Sequence, residues 1–167
     1  MNMTHYMALL ADNQPWNLIL FMAIPVILAE TVAITELFIL FSRPQGGWLR
    51  RINRWASITG GIYFTGVFIY LMKTAVIPLT ASGGWLGAAD VIAVGCYLAG
   101  IIPLGGMALL DLGLIGKAWD EERKLKLHAI FVAIFLVIAH IAMIFGMLDP
   151  TLLMSDAASA SMSSMHH

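Results

Sequence analysis

The chain has 167 residues, 60% of them hydrophobic and 11% charged, with a net charge of −1 and a mean hydropathy of +0.85. That composition excludes an ordinary soluble domain and a disordered chain. No basic surface speaks for nucleic acid, and the single cysteine, Cys96, has no intrachain partner for a disulfide.

The opening residues, MNMTHYMALLADNQP, carry no positive n-region and no compact apolar core ahead of a small-residue cleavage site. They read as mature protein and not as a signal peptide. Four apolar runs follow, at about 16–42, 52–78, 85–116 and 127–148. Each is long enough to cross a bilayer, and the third needs tilt or a kink. With short connections between them, residues 1–150 are expected to form one all-α, integral membrane four-helix bundle in up-down order. Residues 151–167 form a Ser/Ala/Met-biased tail, expected to be mobile.

The first run reads WNLILFMAIPVILAETVAITELFILF, with Glu30 near its middle and Glu36 in its second half. A carboxylate at bilayer depth costs roughly 3 kcal/mol or more unless it finds partners or water. On the second run, Thr59, Tyr63, Gly66, Tyr70 and Lys73 follow 4-3-4-3 spacing and share a helix face. That stripe is expected to face protein, because lipid offers no hydrogen bonds. Gly66 would let a neighbouring helix or a ligand come close. Pro25 and Pro103 interrupt the first and third runs. Each frees a carbonyl four residues back, on Phe21 and Ala99, which needs another partner.

Charge sets the expected orientation. Arg43, Arg50, Arg51 and Arg54 lie between runs one and two, and Lys117, Arg123, Lys124 and Lys126 between runs three and four. Eight of nine basic residues thus share one side, which the positive-inside rule makes cytoplasmic. Both termini are then outside, periplasmic if the membrane is a bacterial inner one. Trp16 and Trp85 mark the outer interface and Trp48, Trp55 and Trp119 the inner one, as an aromatic belt requires.

Depth along the helices, at ~1.5 Å per residue, suggests how the buried charges pair. Lys73 and Asp90 both fall in the outer third and are expected to form a structural ion pair. Asp111 and His128 share a depth near the cytoplasmic face, where they either pair or reach interfacial water. Glu30 and His140 lie near the middle, within roughly 6 Å in depth of each other. Tyr63, Tyr70 and Tyr97 sit in the same layer, and Glu36 lies deeper toward the cytoplasm. A polar centre of this kind is either a hydrogen-bonded knot that fixes helix order, or a proton relay, ion site or cofactor pocket.

The fourth run adds soft ligands. His140, Met143 and Met147 share one face and put an imidazole and two thioethers in the outer half of the bundle. Imidazole with thioether suits Cu(I). The same chemistry recurs at both outer ends, in Met1, Met3 and His5 and in Met154, Met162, Met165, His166 and His167. The plain alternative is that the methionines fill gaps in an apolar core.

Two resemblances follow from these segments. Met143-x-x-x-Met147 with an outer Met-rich terminus is similar to the high-affinity copper transporters of the three-span trimeric type. The chain departs from them in having four spans and no glycine pair after the motif, so neither fold nor pore carries over. Through ILAETVAITELFIL, FIYLMKTAVIPLT, GAADVIAVG and KLKLHAIFVAIFLVIAHIAMIFGMLDPT, nearly the whole chain resembles small bacterial inner-membrane proteins labelled as permeases or as a domain of unknown function. That family implies no transferable activity.

The reading that follows is an inner-membrane protein that binds or transports a soft metal ion, copper favoured, with proton coupling through Glu30 and Glu36. Its partners would be the lipid bilayer, copies of itself or a periplasmic metal carrier. One alternative is a redox protein holding haem b or a quinone, with His140 as an axial ligand and Met22, Met72 or another chain's His as the other. Another is a non-catalytic accessory or assembly subunit. The chain has no phosphate loop, no His-Glu-x-x-His and no Gly-x-Ser-x-Gly, so binding or transport is favoured over an enzyme.

Overall fold

A computed structural model describes residues 3–42 and 47–149. Met1, His166, His167 and the other tail residues from Pro150 onward lie outside them. All regular structure among the described residues is helical. A short helix, α1 (His5–Ala11), precedes four long ones: α2 (Trp16–Ser42), α3 (Trp48–Ser82), α4 (Ala88–Asp111) and α5 (Glu121–Met147). Each of the four is long and apolar enough to cross a membrane. The first run has the bounds read from the sequence. α3 extends past its run at both ends, and α4 stops at Asp111, where the chain turns through Leu112–Gly113.

The helices pack as a ring. α3 lies against α2 and against the second half of α4, and the first half of α4 lies against α5. The α2–α5 edge is the sparsest of the four, and a cavity opens along it.

Small residues decide which face of α3 turns inward. Asn53, Ala56, Ser57, Gly60, Gly61, Phe64, Val67 and Leu71 are buried. A Cβ on Gly61 would stand 2.4 Å from Ala108 Cβ and 2.9 Å from the Leu104 carbonyl, so only glycine allows this contact with α4. The expected inward stripe is therefore corrected. Thr59, Tyr70 and Lys73 are exposed, Tyr63 is half-buried, and nothing lies within 4 Å of a Cβ on Gly66. Close backbone packing gains contact along a whole helix, whereas a hydroxyl can be satisfied locally. Thr65 and Thr74 do the latter, donating to the carbonyls of Gly61 and Tyr70.

Each proline within the long helices is accompanied by an identifiable irregularity in its helix. Ile19–Ala23 in α2 and Met72–Val76 in α3 run as π-helix, each ending just before an Ile-Pro pair. The freed carbonyl on Phe21 is taken up as its chemistry requires: Tyr97 Oη donates to it at 2.5 Å. Tyr63 Oη donates to the neighbouring Leu20 carbonyl at 2.9 Å. At Pro103 the helix instead breaks at Gly100, whose N–H donates to the Tyr97 carbonyl.

α1 closes the end of the bundle away from the basic connections. Thr4 Oγ1 donates to the Gly146 carbonyl at 2.7 Å and caps α1 by accepting from Met7 N–H. The Tyr6 ring lies over Gly146, where a Cβ would stand 2.8 Å from it, and 5.1 Å from the Tyr97 ring. Asp90, fully buried, accepts from His5 N–H at 2.7 Å, from His5 Nδ1 at 2.6 Å and from Leu86 N–H at 3.3 Å. It stands at the starts of α1 and α4 together, where both helix dipoles favour a carboxylate. The expected Lys73–Asp90 pair is thus corrected. Asp90 is held by His5, and Lys73 is exposed with no ion-pair partner among the described residues. A helix lying across the bundle end, which no depth argument along straight spans includes, supplied the nearer partner.

Candidate functional site

Two groups of ionisable side chains stand out, one at each level of the bundle. At the basic end the four long helices each contribute one wall. α2 supplies Thr35 and Glu36, α3 supplies Asn53 and Ser57, α4 ends on Asp111 and α5 supplies His128. Glu36, Asn53, Ser57 and His128 are buried, and Asp111 is half-buried. Asn53 Nδ2 donates to Glu36 Oε2 at 3.0 Å, to Thr35 Oγ1 at 2.9 Å and to the Val32 carbonyl at 3.2 Å. His128 Nε2 lies 3.2 Å from Asp111 Oδ2 and 3.3 Å from Ser57 Oγ. On the other edge of the ring, Nδ1 stands 3.0 Å from Glu36 Oε2, though off hydrogen-bond alignment. Glu36 Oε1 is buried without a hydrogen-bond partner.

The imidazole is therefore clamped between two carboxylates on opposite edges. That arrangement cannot bring both carboxylates and a ring nitrogen onto one ion, and among the described residues no three His, Cys, Asp or Glu side chains converge as a metal site. It does suit proton hand-off, since imidazole can accept at one nitrogen and release from the other. An opening of about 400 Å³ reaches this cluster from the basic end, with Arg50, Arg54, Glu121 and Lys124 on its rim. Of the two alternatives that depth left for Asp111 and His128, pairing is the one present, and it includes Glu36, which depth alone did not join to it.

The second group lies along the α2–α5 edge. Glu30 and His140 line the same cavity of about 200 Å³, together with Met143. Both are exposed, and neither meets the other within ion-pair distance. His140 Nδ1 lies 2.6 Å from the Leu136 carbonyl. A carbonyl only accepts, so Nδ1 carries the proton and Nε2 is the open nitrogen. Met22 and Cys96 also line the cavity. The sequence reading left Cys96 without a role and weighed Met22 only as a haem ligand; the cavity gathers both because α2 and α4 flank the same edge. Met147 is exposed and lies outside this lining. Met3 is exposed at the start of α1, and His5 is committed to Asp90.

The three tyrosines gather round Leu20 and Phe21 of α2. Tyr63 and Tyr97 bond the carbonyls there, and Tyr70 stacks on the Phe21 ring at 5.6 Å between centroids. Their visible work is to hold the bend. Tyr6 roofs the cavity from α1, and burial pushes its phenol up to about 12.

An all-helical bundle with four helices of membrane-spanning length and composition, a buried carboxylate–imidazole–carboxylate cluster and a cavity along one edge fits a membrane protein. Its particular place is a family match over residues 1–162: the chain belongs to DUF6803, a family of unknown function. No curated protein matches the chain, and no solved structure does.

Proposed function

We propose that the chain is a bacterial inner-membrane protein that binds or transports a soft metal ion, copper favoured, coupled to proton movement. In this reading the bundle runs up-down, the basic connections are cytoplasmic and both termini are periplasmic, following the distribution of Lys and Arg. The observation that carries it is the α2–α5 cavity, which His140, Met22, Met143, Cys96 and Glu30 line together. Thioether, thiol and imidazole together select Cu(I) over hard cations. The cavity lies below the roughly 300–1,000 Å³ of cofactor-sized sites, which favours a small ion over haem b, although His140 and Met22 both face it.

Glu36, His128 and Asp111 supply the proton path at the basic end. Asp111, half-buried at the opening, exchanges with water, and His128 passes the proton inward to Glu36. The Met/His segments at both ends of the chain, Met1, Met3, His166 and His167 among them, would receive the ion from a periplasmic carrier.

Titration of the purified protein with Cu(I) tests the binding half. One ion per chain is expected, and affinity is expected to fall when His140→Ala or Met143→Ala is made. Stoichiometric binding untouched by both substitutions would remove the cavity as the site. In proteoliposomes carrying a pH dye, Asp111→Asn is expected to slow Cu(I)-driven proton movement while leaving binding unchanged.

A further inference from the structure

The geometry points to a second copy of this chain seated on the α2–α5 face, with Glu30 of each copy meeting the partner's His140. The pairing belongs to the ion-free protein, because His140 Nε2 cannot hold an ion and the partner's carboxyl at once; it rests only on the helices spanning a membrane and not on the ion.

Glu30 is exposed at the middle of α2 and has no hydrogen-bond or ion-pair partner among the described residues. At ~1.5 Å per residue it is roughly 18 Å from the nearer helix end, far beyond the reach of its short side chain. Lys73, also exposed, is different: it lies roughly 14 Å from the end of α3 at ~1.5 Å per residue, and its long stem carries the ammonium part of that way toward the interface. His140 is exposed on α5 with Nε2 unengaged, since its ring bonds through Nδ1 to the Leu136 carbonyl. A carboxyl and an imidazole facing acyl chains each lack the partner that a membrane interior requires.

A two-fold axis along the membrane normal removes both deficits at once. An isologous interface places residue i against j and j against i, so one carboxyl and one imidazole on the same face become two reciprocal pairs. With Nδ1–H committed to Leu136, Nε2 and the partner's Glu30 share a single proton, whichever group carries it. Ile27 and Ile34 flank Glu30, and Val137 and Ile144 flank His140; all four are exposed and supply the apolar surround. The sparse contact between α2 and α5 within one chain leaves this edge open for the partner's helices.

Native mass spectrometry of the full chain in lipid discs is the test. The wild type is expected at twice the 18.2 kDa chain mass. Glu30→Gln and His140→Ala are each expected to weaken the dimer at least about tenfold, the scale of one hydrogen bond to a charged group. Mixing the two variants restores one of the two pairs and is expected to recover a hetero-dimer, which no contact within one chain can do. Cross-linking gives a second measurement independent of those variants. Chains carrying Ile27→Cys and chains carrying Ile144→Cys, both in a Cys96→Ser background, are expected to form a disulfide only when expressed together. A wild type that stays monomeric in discs overturns the proposal. So does a dimer that survives both substitutions without the Ile27–Ile144 cross-link. A chain that leaves the membrane without detergent would instead overturn the membrane reading beneath it.

Discussion

At the basic end, Glu36, His128 and Asp111 are enclosed by four helices, with Asn53 and Ser57 completing their contacts. Along the α2–α5 edge, Glu30 and His140 share a cavity yet stand exposed, one without a partner and the other with an open nitrogen. Each group takes a glutamate from α2 and a histidine from α5, so the difference is not one of residue type on those two helices. It is a difference in how closely the helices approach. At the basic end the side chains of all four reach one another and the charges pair inside the chain. Along the sparse α2–α5 edge Glu30 and His140 stay apart and exposed, which is the ground for the proposed ion and the proposed second copy.

Substitutions can break this contrast, and the largest effect belongs to the enclosed group. His128→Ala leaves Glu36 buried beside no imidazole, and removing one partner of a buried pair costs about 3–5 kcal/mol. Unfolding of the detergent-solubilised protein would read this directly; a loss no greater than that of a surface substitution would mean the cluster is hydrated and open. Asp90→Ala is expected next, at about 1.5–3 kcal/mol, because it strands two hydrogen bonds from His5 and one from Leu86. Its signature is faster hydrogen exchange in α1 with little change in α3. Gly61→Val forces α3 away from α4 and is expected to cost about 1–3 kcal/mol, whereas Gly66→Val, with open space around it, leaves the unfolding midpoint unchanged. Tyr97→Phe removes the bond to the Phe21 carbonyl for about 1 kcal/mol. Smallest in stability is Glu30→Gln, which leaves the unfolding midpoint of the isolated chain in place while weakening ion binding and self-association. A large destabilisation there would mean that Glu30 belongs with the enclosed group after all.

Some of this was legible in the residues. Apolar run length gave the four long helices, and Pro25 gave the freed carbonyl on Phe21, because both follow from local rules of backbone hydrogen bonding. Depth along a straight helix put Asp111 and His128 at one level but left open whether they pair or reach interfacial water; the structure pairs them. It failed for Asp90, whose partner His5 arrives on a short helix lying across the bundle end. It also misjudged the inward face of α3. Periodicity records that polar residues share a face; it does not record that Gly61 and Ala108 can approach more closely than any pair on that face.

The sequence by itself determined the four long helices and the carbonyl that Pro25 frees, since each depends on neighbours within a few residues along the chain. Only the tertiary structure decided which charges are enclosed and which are left at an edge, because that depends on how close two backbones can come, and small side chains far apart in the chain set that distance.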